Sequence, residues 1–427
     1  MDITVEHLLK QVDARKMELI DLLSKLIEYN TSAPPARNTK DAQNFIADYL
    51  HRMGFEIDMW DVYPNDPNVV GVKKGIKSTT HNSLIINGHI DVAEAREDEV
   101  WKTNPFEPII EEDRIIGRGA ADMKGGLASA LFATKLLNEA DIELPGDLIF
   151  QSVIGEEVGE AGTLQCCERG YNADFALVVD TSDLHIQGQG GVITGWITVK
   201  NPRTFHDAMR RNMIHAGGGL PEASAIEKMM KVIEGLQELE RYWAVTKQYE
   251  GYPAGTNTIN PAVIEGGRHA AFIADECRLW ITVHYYPNET HEQVSKEIED
   301  YILRIAKADP WLCHHPPTFE WGGTSMIEER GEIFPSLEVD KNYTAVHALA
   351  ASHEMVHDSK VVIDVSPSVT DGGWFGHMGI PAAIYGPGEF RHAHAVNEEV
   401  SIQQLLQFTK TMIQFIYEWT NQRKTKS

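Results

Sequence analysis

The chain has 427 residues, of which 42 % are hydrophobic and 24 % are charged. This length exceeds one ordinary domain, and the composition is that of a globular protein rather than a disordered or fibrous one. The formal net charge of −25 argues against nucleic acid or anionic membranes as partners. The four cysteines form no C-x-x-C pair, and no stretch reads as a signal peptide or membrane helix, so we expect a soluble cytoplasmic protein.

The first part of the chain alternates predicted helices and strands. Apolar residues at spacings of three and four predict an amphipathic helix over 3–27 and another over 41–53, which Gly54 ends. The apolar runs SLIING, LIFQSVI and FALVVD are typical of strands, and KGGLASALFATKLLNEA is typical of a helix. This alternation predicts an α/β sheet with helices on its faces.

After residue 180 the pattern changes. A strand, a long helix, two strands, a second helix and a closing strand follow, which is the order of a ferredoxin-like module. The α/β pattern then resumes and ends with a helix near 401–420. We therefore predict a discontinuous main domain, residues 1–186 and 323–427, into which a lid domain of residues 187–322 is inserted.

Polar residues follow the apolar strands of the main domain. His89 and Asp91 follow SLIING, Glu156 and Glu157 follow LIFQSVI, and Asp180 ends FALVVD. Each motif alone also suits an exposed loop. The carboxyl ends of strands in an open α/β sheet, however, form the rim at which sites are built. His89 and Asp91 are two residues apart on an extended segment, so their side chains point the same way. One can bind a metal while the other orients that metal-binding side chain.

Two further segments reach the same rim. Asp122, in GRGAADMKGG, is either a helix N-cap or a metal ligand in a glycine-rich turn. His392 and His394 follow the strand PAAIYG. One histidine and three carboxylates converge on this rim, and with a second histidine there are five possible nitrogen or oxygen ligands. That is too many for one tetrahedral zinc but enough for two ions that share a carboxylate.

The motifs NGHIDV, AADMKGG, GEEVGEAGT, VVDTSD and AHAVNEEV together resemble the co-catalytic zinc amidohydrolases. That family includes acetylornithine deacetylase, succinyl-diaminopimelate desuccinylase, aminoacylase and glutamate carboxypeptidase. The resemblance spans nearly the whole chain. It implies a mixed-sheet, zinc-peptidase-like α/β catalytic domain with an inserted ferredoxin-like α+β lid, two Zn²⁺ per chain and a homodimer formed through the lid. Co²⁺ or Mn²⁺ could occupy the same sites.

The resemblance also implies a role for each site residue. Asp91 would hydrogen-bond the metal-binding histidine and set its basicity, and Glu156 would be the general base acting on water between the metals. The spacing within AHAVNEEV matches His394, rather than His392, to the family's ligand. The implied metal ligands are His89 and Asp180 for one zinc, Glu157 and His394 for the other, and Asp122 as the bridge.

Family members also reach the substrate with a histidine of the lid. The segment HAGGGLPEASAIEKMM matches that role to His215. The preceding segment is longer than the family pattern, so His206 is a competing candidate.

One departure from the family concerns the substrate. Members that bind a carboxylate carry an arginine on the last lid strand where this chain has His284, and histidine cannot form the bidentate fork that arginine forms with a carboxylate. We therefore expect a small N-acyl or N-formyl amine without an α-carboxylate. Among the activities of this family, the missing arginine favours deformylation of an N-formyl aminopyrimidine in thiamine salvage, and the lid sequence resembles that of such deformylases.

The sequence is also compatible with three other functions. They are a deacylase of N-acyl amino acids, a dipeptidase or aminopeptidase, and a metal-dependent binding protein without activity. The presence of Asp91 and Glu156 argues against the last, because loss of activity usually removes the base or a ligand.

Overall fold

A computed structural model describes residues 3–424. These residues form two compact units. The first unit comprises residues 3–189 and 337–424, and the second comprises Gly190–Ser336. The helices are α1 Ile3–Ala14, α2 Lys16–Glu28, α3 Lys40–Arg52, α4 Lys124–Glu139, α5 Gly162–Glu168, α6 Ala225–Thr246, α7 His291–Ala308, α8 Thr344–His357, α9 Gly372–His377 and α10 Ile402–Asn421. The strands are β1 Ser32–Ala33, β2 Glu56–Tyr63, β3 Asp66–Lys73, β4 Leu84–His89, β5 Val92–Ala93, β6 Ile109–Glu111, β7 Arg114–Ile116, β8 Leu148–Val153, β9 Phe175–Val178, β10 Ile186–Gln189, β11 Gly191–Lys200, β12 Thr258–Gly266, β13 Glu276–Tyr285, β14 Thr318–Trp321, β15 Ile333–Phe334, β16 Ile363–Ser366, β17 Ala382–Ile384 and β18 Glu399–Ser401.

The helix predicted over 3–27 is two helices. Arg15 lies between them with φ −109° and ψ 22°, outside the helical range. Its guanidinium donates to Glu18 in the second helix and to Glu139 at the end of α4, at 2.6 Å in each case. The contact to Glu139, which is 124 residues away in the chain, accompanies a break that periodicity alone did not predict.

The first unit is built on a mixed sheet with the strand order β16-β10-β17-β9-β4-β8-β3-β2 among the described residues. Its central strands β17, β9, β4 and β8 are parallel neighbours. Their side chains are buried on both faces, which explains why these strands are continuous apolar runs rather than alternating ones. Because the four strands are parallel, their carboxyl ends meet at one edge of the sheet.

The second unit has an antiparallel sheet of order β12-β13-β11-β14, which is the strand order of a ferredoxin-like module. Helices α6 and α7 bury Trp243 and Ile298 against this sheet. The unit extends to Ser336, beyond the predicted limit of 322, because β15 pairs with the start of β11. Between residues 3 and 424, no helix is both long and apolar enough to cross a bilayer.

Two stacked histidines lie on α8, of which His353 is buried and His357 is half-buried. The rings of His353 and His357, one turn apart, stack with centroids 3.9 Å apart, and His353 Nδ1 lies 2.7 Å from the hydroxyl of Tyr385. Burial lowers the pKa of His353 to about 4, and the charges of His357 and His185 add to the effect. Burial, helped by Lys410, also lowers the pKa of His357. The first unit therefore holds this pair in its neutral form.

This pair predicts a loss of stability in mild acid. The folded-state pKa of His353 lies below its ordinary value of 6.5, so the unfolded state binds the proton more readily and stability falls as the pH drops from about 6.5 towards 4. The loss should be on the order of 1–3 kcal/mol, since one pKa unit corresponds to about 1.4 kcal/mol. Thermal unfolding of a His353→Gln variant should show a smaller drop in Tm between pH 7 and pH 5 than the unsubstituted protein. His347→Gln, an exposed change on the same helix, is the control, and equal drops in all three proteins would contradict the prediction.

Candidate metal centre

The parallel strands of the first unit deliver polar side chains to one edge of the sheet. His89 is the last residue of β4, and Asp180 follows β9 directly after Val179. Glu156 and Glu157 begin a 3-10 turn, Glu156–Val158, just after β8. The common edge follows from the parallel pairing of these strands.

Asp122 lies between two histidines. Its Oδ1 is 3.2 Å from His89 Nε2, and its Oδ2 is 3.3 Å from His394 Nε2. The following helix begins at Lys124 without a side-chain cap, so Asp122 is not used as an N-cap. One carboxylate that presents each oxygen to a different histidine has the arrangement needed to join two cations.

The remaining carboxylates surround this core. Glu157 Oε2 is 2.8 Å from His394 Nε2, and Asp180 Oδ2 and Glu156 Oε2 each lie 3.9 Å from His89 Nε2. His89, Asp122 and Glu157 each offer a ligand atom within 4.8 Å of the others. Glu157 Oε1 is buried and has no hydrogen-bond partner among the described residues. A buried acceptor without a donor is costly, and a divalent cation would satisfy it, so the donor set fits such an ion.

The orientation of the His89 ring is set by its own loop. Its Nδ1 lies 2.9 Å from the backbone carbonyl oxygen of Asp91 and donates to it, so Nε2 is the ring nitrogen that faces Asp122. The Asp91 carboxylate is 3.8 Å from Nδ1 and instead accepts from the backbone N–H groups of Gly155 and Glu157 at 2.9 and 3.0 Å. The predicted hydrogen bond to His89 is therefore made by the Asp91 main chain, because the side chain holds the turn that carries Glu156 and Glu157.

The electrostatics of the cluster favour a bound cation. Burial raises the pKa of Asp180 to about 8, and the neighbouring Asp122 adds to the effect. Burial also raises the pKa of Glu156 well above its ordinary value, and the charge of Glu157 reinforces the shift. Bonds to Asp122 and Glu157 raise the pKa of His394 to about 11. Buried carboxylates at this density are unfavourable unless positive charge opposes them.

Close packing of α4 on β9 brings two of these carboxylates together. A Cβ at Gly126, in the first turn of α4, would lie 1.8 Å from the carbonyl oxygen of Val179. Only glycine permits this approach. The start of α4 therefore lies against the residue that precedes Asp180, which places Asp122 beside that strand end.

An arginine far away in sequence anchors the loop after β8. The Arg37 guanidinium donates to both carboxylate oxygens of the buried Glu160 at 2.7 Å, and it also lies 3.3 Å from Asp66. The sequence did not indicate a role in the site for Arg37, Arg118 or Glu398. The motifs GRG and NEEV hold the latter two, but neither motif shows that its members meet in space.

The two candidate substrate histidines differ within the second unit. His215 lies in the 3-10 turn Ile214–Ala216, its Nε2 is 2.8 Å from Glu227 Oε2, and burial lowers its pKa. The ring of His206 is 62 % exposed, and its Nδ1 accepts from the backbone N–H of Ala208. His284 is on β13, opposite Val192 of β11.

Known proteins match almost the whole length of this chain. The model of peptidase family M20/M25/M40 matches residues 85–418. The chain belongs to this family. It is 64 % identical over 424 residues to the N-formyl-4-amino-5-aminomethyl-2-methylpyrimidine deformylase of Bacillus subtilis, with 99 % of this chain and 100 % of the relative covered. It is 61 % identical to the deformylase of the same name from Halalkalibacterium halodurans, with 98 % of each chain covered.

The fold of a solved family member agrees with that of this chain. The YXEP protein of Bacillus subtilis, a dinuclear metal-binding peptidase of the M20 family, superimposes with a TM-score of 0.65 at 17 % identity and covers 95 % of this chain and 99 % of its own. The family and the mixed α/β fold predicted from the sequence are confirmed, as is the prediction that the chain is a metal-dependent amide hydrolase of this family.

Metal binding at this cluster should stabilise the protein. A cation at 100 times its Kd stabilises a folded protein by about 2.7 kcal/mol, so Zn²⁺, Co²⁺ or Mn²⁺ should raise the Tm of chelator-treated protein. Asp122→Ala should remove most of that rise, because Asp122 contacts both histidines. Asp61→Ala, an exposed change in the same unit, is the control. A full metal-induced rise in Asp122→Ala would show that the ion binds elsewhere.

Proposed function

We propose that this chain hydrolyses N-formyl-4-amino-5-aminomethyl-2-methylpyrimidine to the free amine and formate. The observation that carries the proposal is the identity of 64 % and 61 % to two deformylases of that name over almost the whole chain. The carboxylate–histidine cluster supports hydrolysis of an amide bond. His284 on β13 supports a substrate without an α-carboxylate, as argued above.

Two divalent cations would be held at the edge of the sheet. When bound, they supply polarisation of the formyl carbonyl and a more acidic water. We take zinc as the metal because of the family resemblance, with Co²⁺ and Mn²⁺ as alternatives. The assigned ligands are His89 and Asp180 for one ion and Glu157 and His394 for the other, with Asp122 between them.

Glu156 has the position of the general base. It is the first residue of the turn after β8, 11 % exposed, and it lies 3.9 Å from His89 Nε2. In the proposed reaction Glu156 takes a proton from the attacking water as the water oxygen adds to the formyl carbon. The C–N bond of the formamide then breaks as Glu156 passes that proton to the leaving amine. Asp91 holds this base through the backbone N–H groups on either side of it, those of Gly155 and Glu157.

Glu156→Gln should separate chemistry from metal binding. The substitution keeps the shape of the side chain but cannot accept the proton, so kcat should fall by about 10²–10⁴, while the metal content measured by elemental analysis stays unchanged. Glu168→Gln, an exposed change on α5, is the control for both measurements. Near-normal turnover by Glu156→Gln would refute the assignment of the base.

A substrate panel tests the specificity. Metal-loaded protein should hydrolyse the formylated pyrimidine with a kcat/KM at least about 100-fold above those for N-acetylornithine, an N-succinyl amino acid and a dipeptide, since a pocket without a carboxylate-binding arginine leaves their carboxylates unpaired. A large preference for N-acetylornithine or for a dipeptide would favour the deacylase or peptidase alternatives.

A homodimer through the second unit is part of the proposal. Strand β12 is an edge strand of its sheet among the described residues. Ile264 on this strand and Met230 on α6 are 54 % and 57 % exposed. An exposed edge strand with apolar side chains suits pairing with a second copy. The role of His215, rather than His206, in substrate binding and the location in the cytoplasm stay predictions of the sequence.

A double substitution tests the dimer. Ile264→Glu with Met230→Glu should convert the dimer into a monomer in light scattering at micromolar concentration, because charges would oppose each other across the interface. Val100→Glu, at a residue 86 % exposed in the first unit, should leave the mass unchanged. A dimer that survives the double substitution would rule out this surface.

A further inference from the structure

A fully buried ion pair lies directly behind Asp122. Glu398 Oε1 accepts the backbone N–H groups of both Ala121 and Asp122, each at 2.9 Å. Glu398 Oε2 accepts from Arg118 Nη1 at 2.8 Å, and the two side chains are 0 % and 1 % exposed. One carboxylate therefore fixes the main chain of the residue that lies between the two histidines.

The same pair reaches the segment that carries His394. Nη2 of Arg118 lies 3.5 Å from the backbone carbonyl oxygen of His394 and 3.3 Å from that of Glu94. The backbone N–H of Gly117 donates to the carbonyl of Glu398 at 2.9 Å, so the two segments are also joined by main chain. The pair thus connects the loops that carry Asp122 and His394.

The backbone at His394 needs such support. His394 has φ +58°, in the left-handed region that residues other than glycine rarely adopt. A residue in this region persists only where its surroundings determine it. The contacts of Arg118 to the carbonyl of His394 and of Glu398 to the N–H of Asp122 act on the two residues whose side chains are 3.3 Å apart.

We infer that Glu398 and Arg118 are positioning residues, which hold Asp122 and His394 at the separation that a shared pair of cations requires. The inference rests on the proposed function, since it assumes the metal centre described there. A buried ion pair by itself is weak evidence of a contribution to stability, because desolvation offsets the attraction. The hydrogen bonds that Glu398 makes to the backbone of Asp122 orient a ligand, and changes to groups that orient metal ligands typically cost 10–100-fold in metal affinity.

Metal binding by Glu398→Ala and Glu398→Gln tests the inference. Affinity is measured by competition with a chelator, and coordination by the visible absorption of the Co²⁺-loaded protein. Glu398→Ala should bind Co²⁺ about 10–100-fold more weakly and show an altered absorption per cobalt. Glu398→Gln should lose less, since its amide oxygen can still accept the two backbone N–H groups.

Asp309→Asn is the matched control. Asp309 is equally buried and is paired with Lys228 in the second unit, so its substitution should lower Tm while cobalt affinity and absorption remain unchanged. Arg118→Lys, which keeps the charge but loses the planar fork, provides a second variant if Glu398→Ala does not fold, and it should also weaken cobalt binding.

The outcomes separate the two proposals. Unsubstituted protein that binds two Co²⁺ ions, together with folded Glu398 and Arg118 variants that match it in affinity and absorption, would overturn the inference and leave the proposed function standing. Variants that lose cobalt affinity only to the extent that Asp309→Asn does would also overturn it. Unsubstituted protein that takes up no metal would overturn the proposed function itself.

Discussion

The two oxygens of the Asp122 carboxylate face two different histidines, His89 and His394, at 3.2 and 3.3 Å. The rest of the site depends on this contact, since it links a strand end, a helix start and a loop near the carboxyl terminus. The contact exists because the central strands are parallel and end at one edge, and because Gly126 lets α4 approach the end of β9. The edge of the sheet, the start of α4 and the loop that carries His394 together form the candidate metal centre.

Buried carboxylates are concentrated at this edge of the sheet. The folded chain alone does not offset the free-energy cost of burying them. Burial raises the pKa of Asp180 to about 8, and Glu157 Oε1 is buried without a partner among the described residues. Stability and function are therefore linked, because an ion that binds the folded state alone also stabilises it. Backbone N–H groups donate to Asp91 and Glu398, and the guanidinium of Arg118 pairs with Glu398.

Sequence periodicity predicted most elements, and residue type with spacing predicted the polar side chains that the structure brings near each other. Prediction from these local patterns failed where a contact between distant residues decides the local conformation. The break at Arg15 coincides with a contact to Glu139, and the second unit runs to Ser336 because β15 pairs with β11. Neither contact has a local signature, since both partners are far apart in the chain.

The sequence by itself determined the family, the alternation of strands and helices and the identity of the candidate metal-binding side chains, because these depend on residue type and local spacing. Only the tertiary structure decided which atom of Asp91 faces His89, what holds the turn of Glu156, and that Arg118 and Glu398 meet behind Asp122. These are relations between segments that lie far apart along the chain. Hydrogen bonds of about 3 Å between these segments depend on where the whole sheet positions the carboxyl ends of its strands. No local sequence pattern indicates those positions.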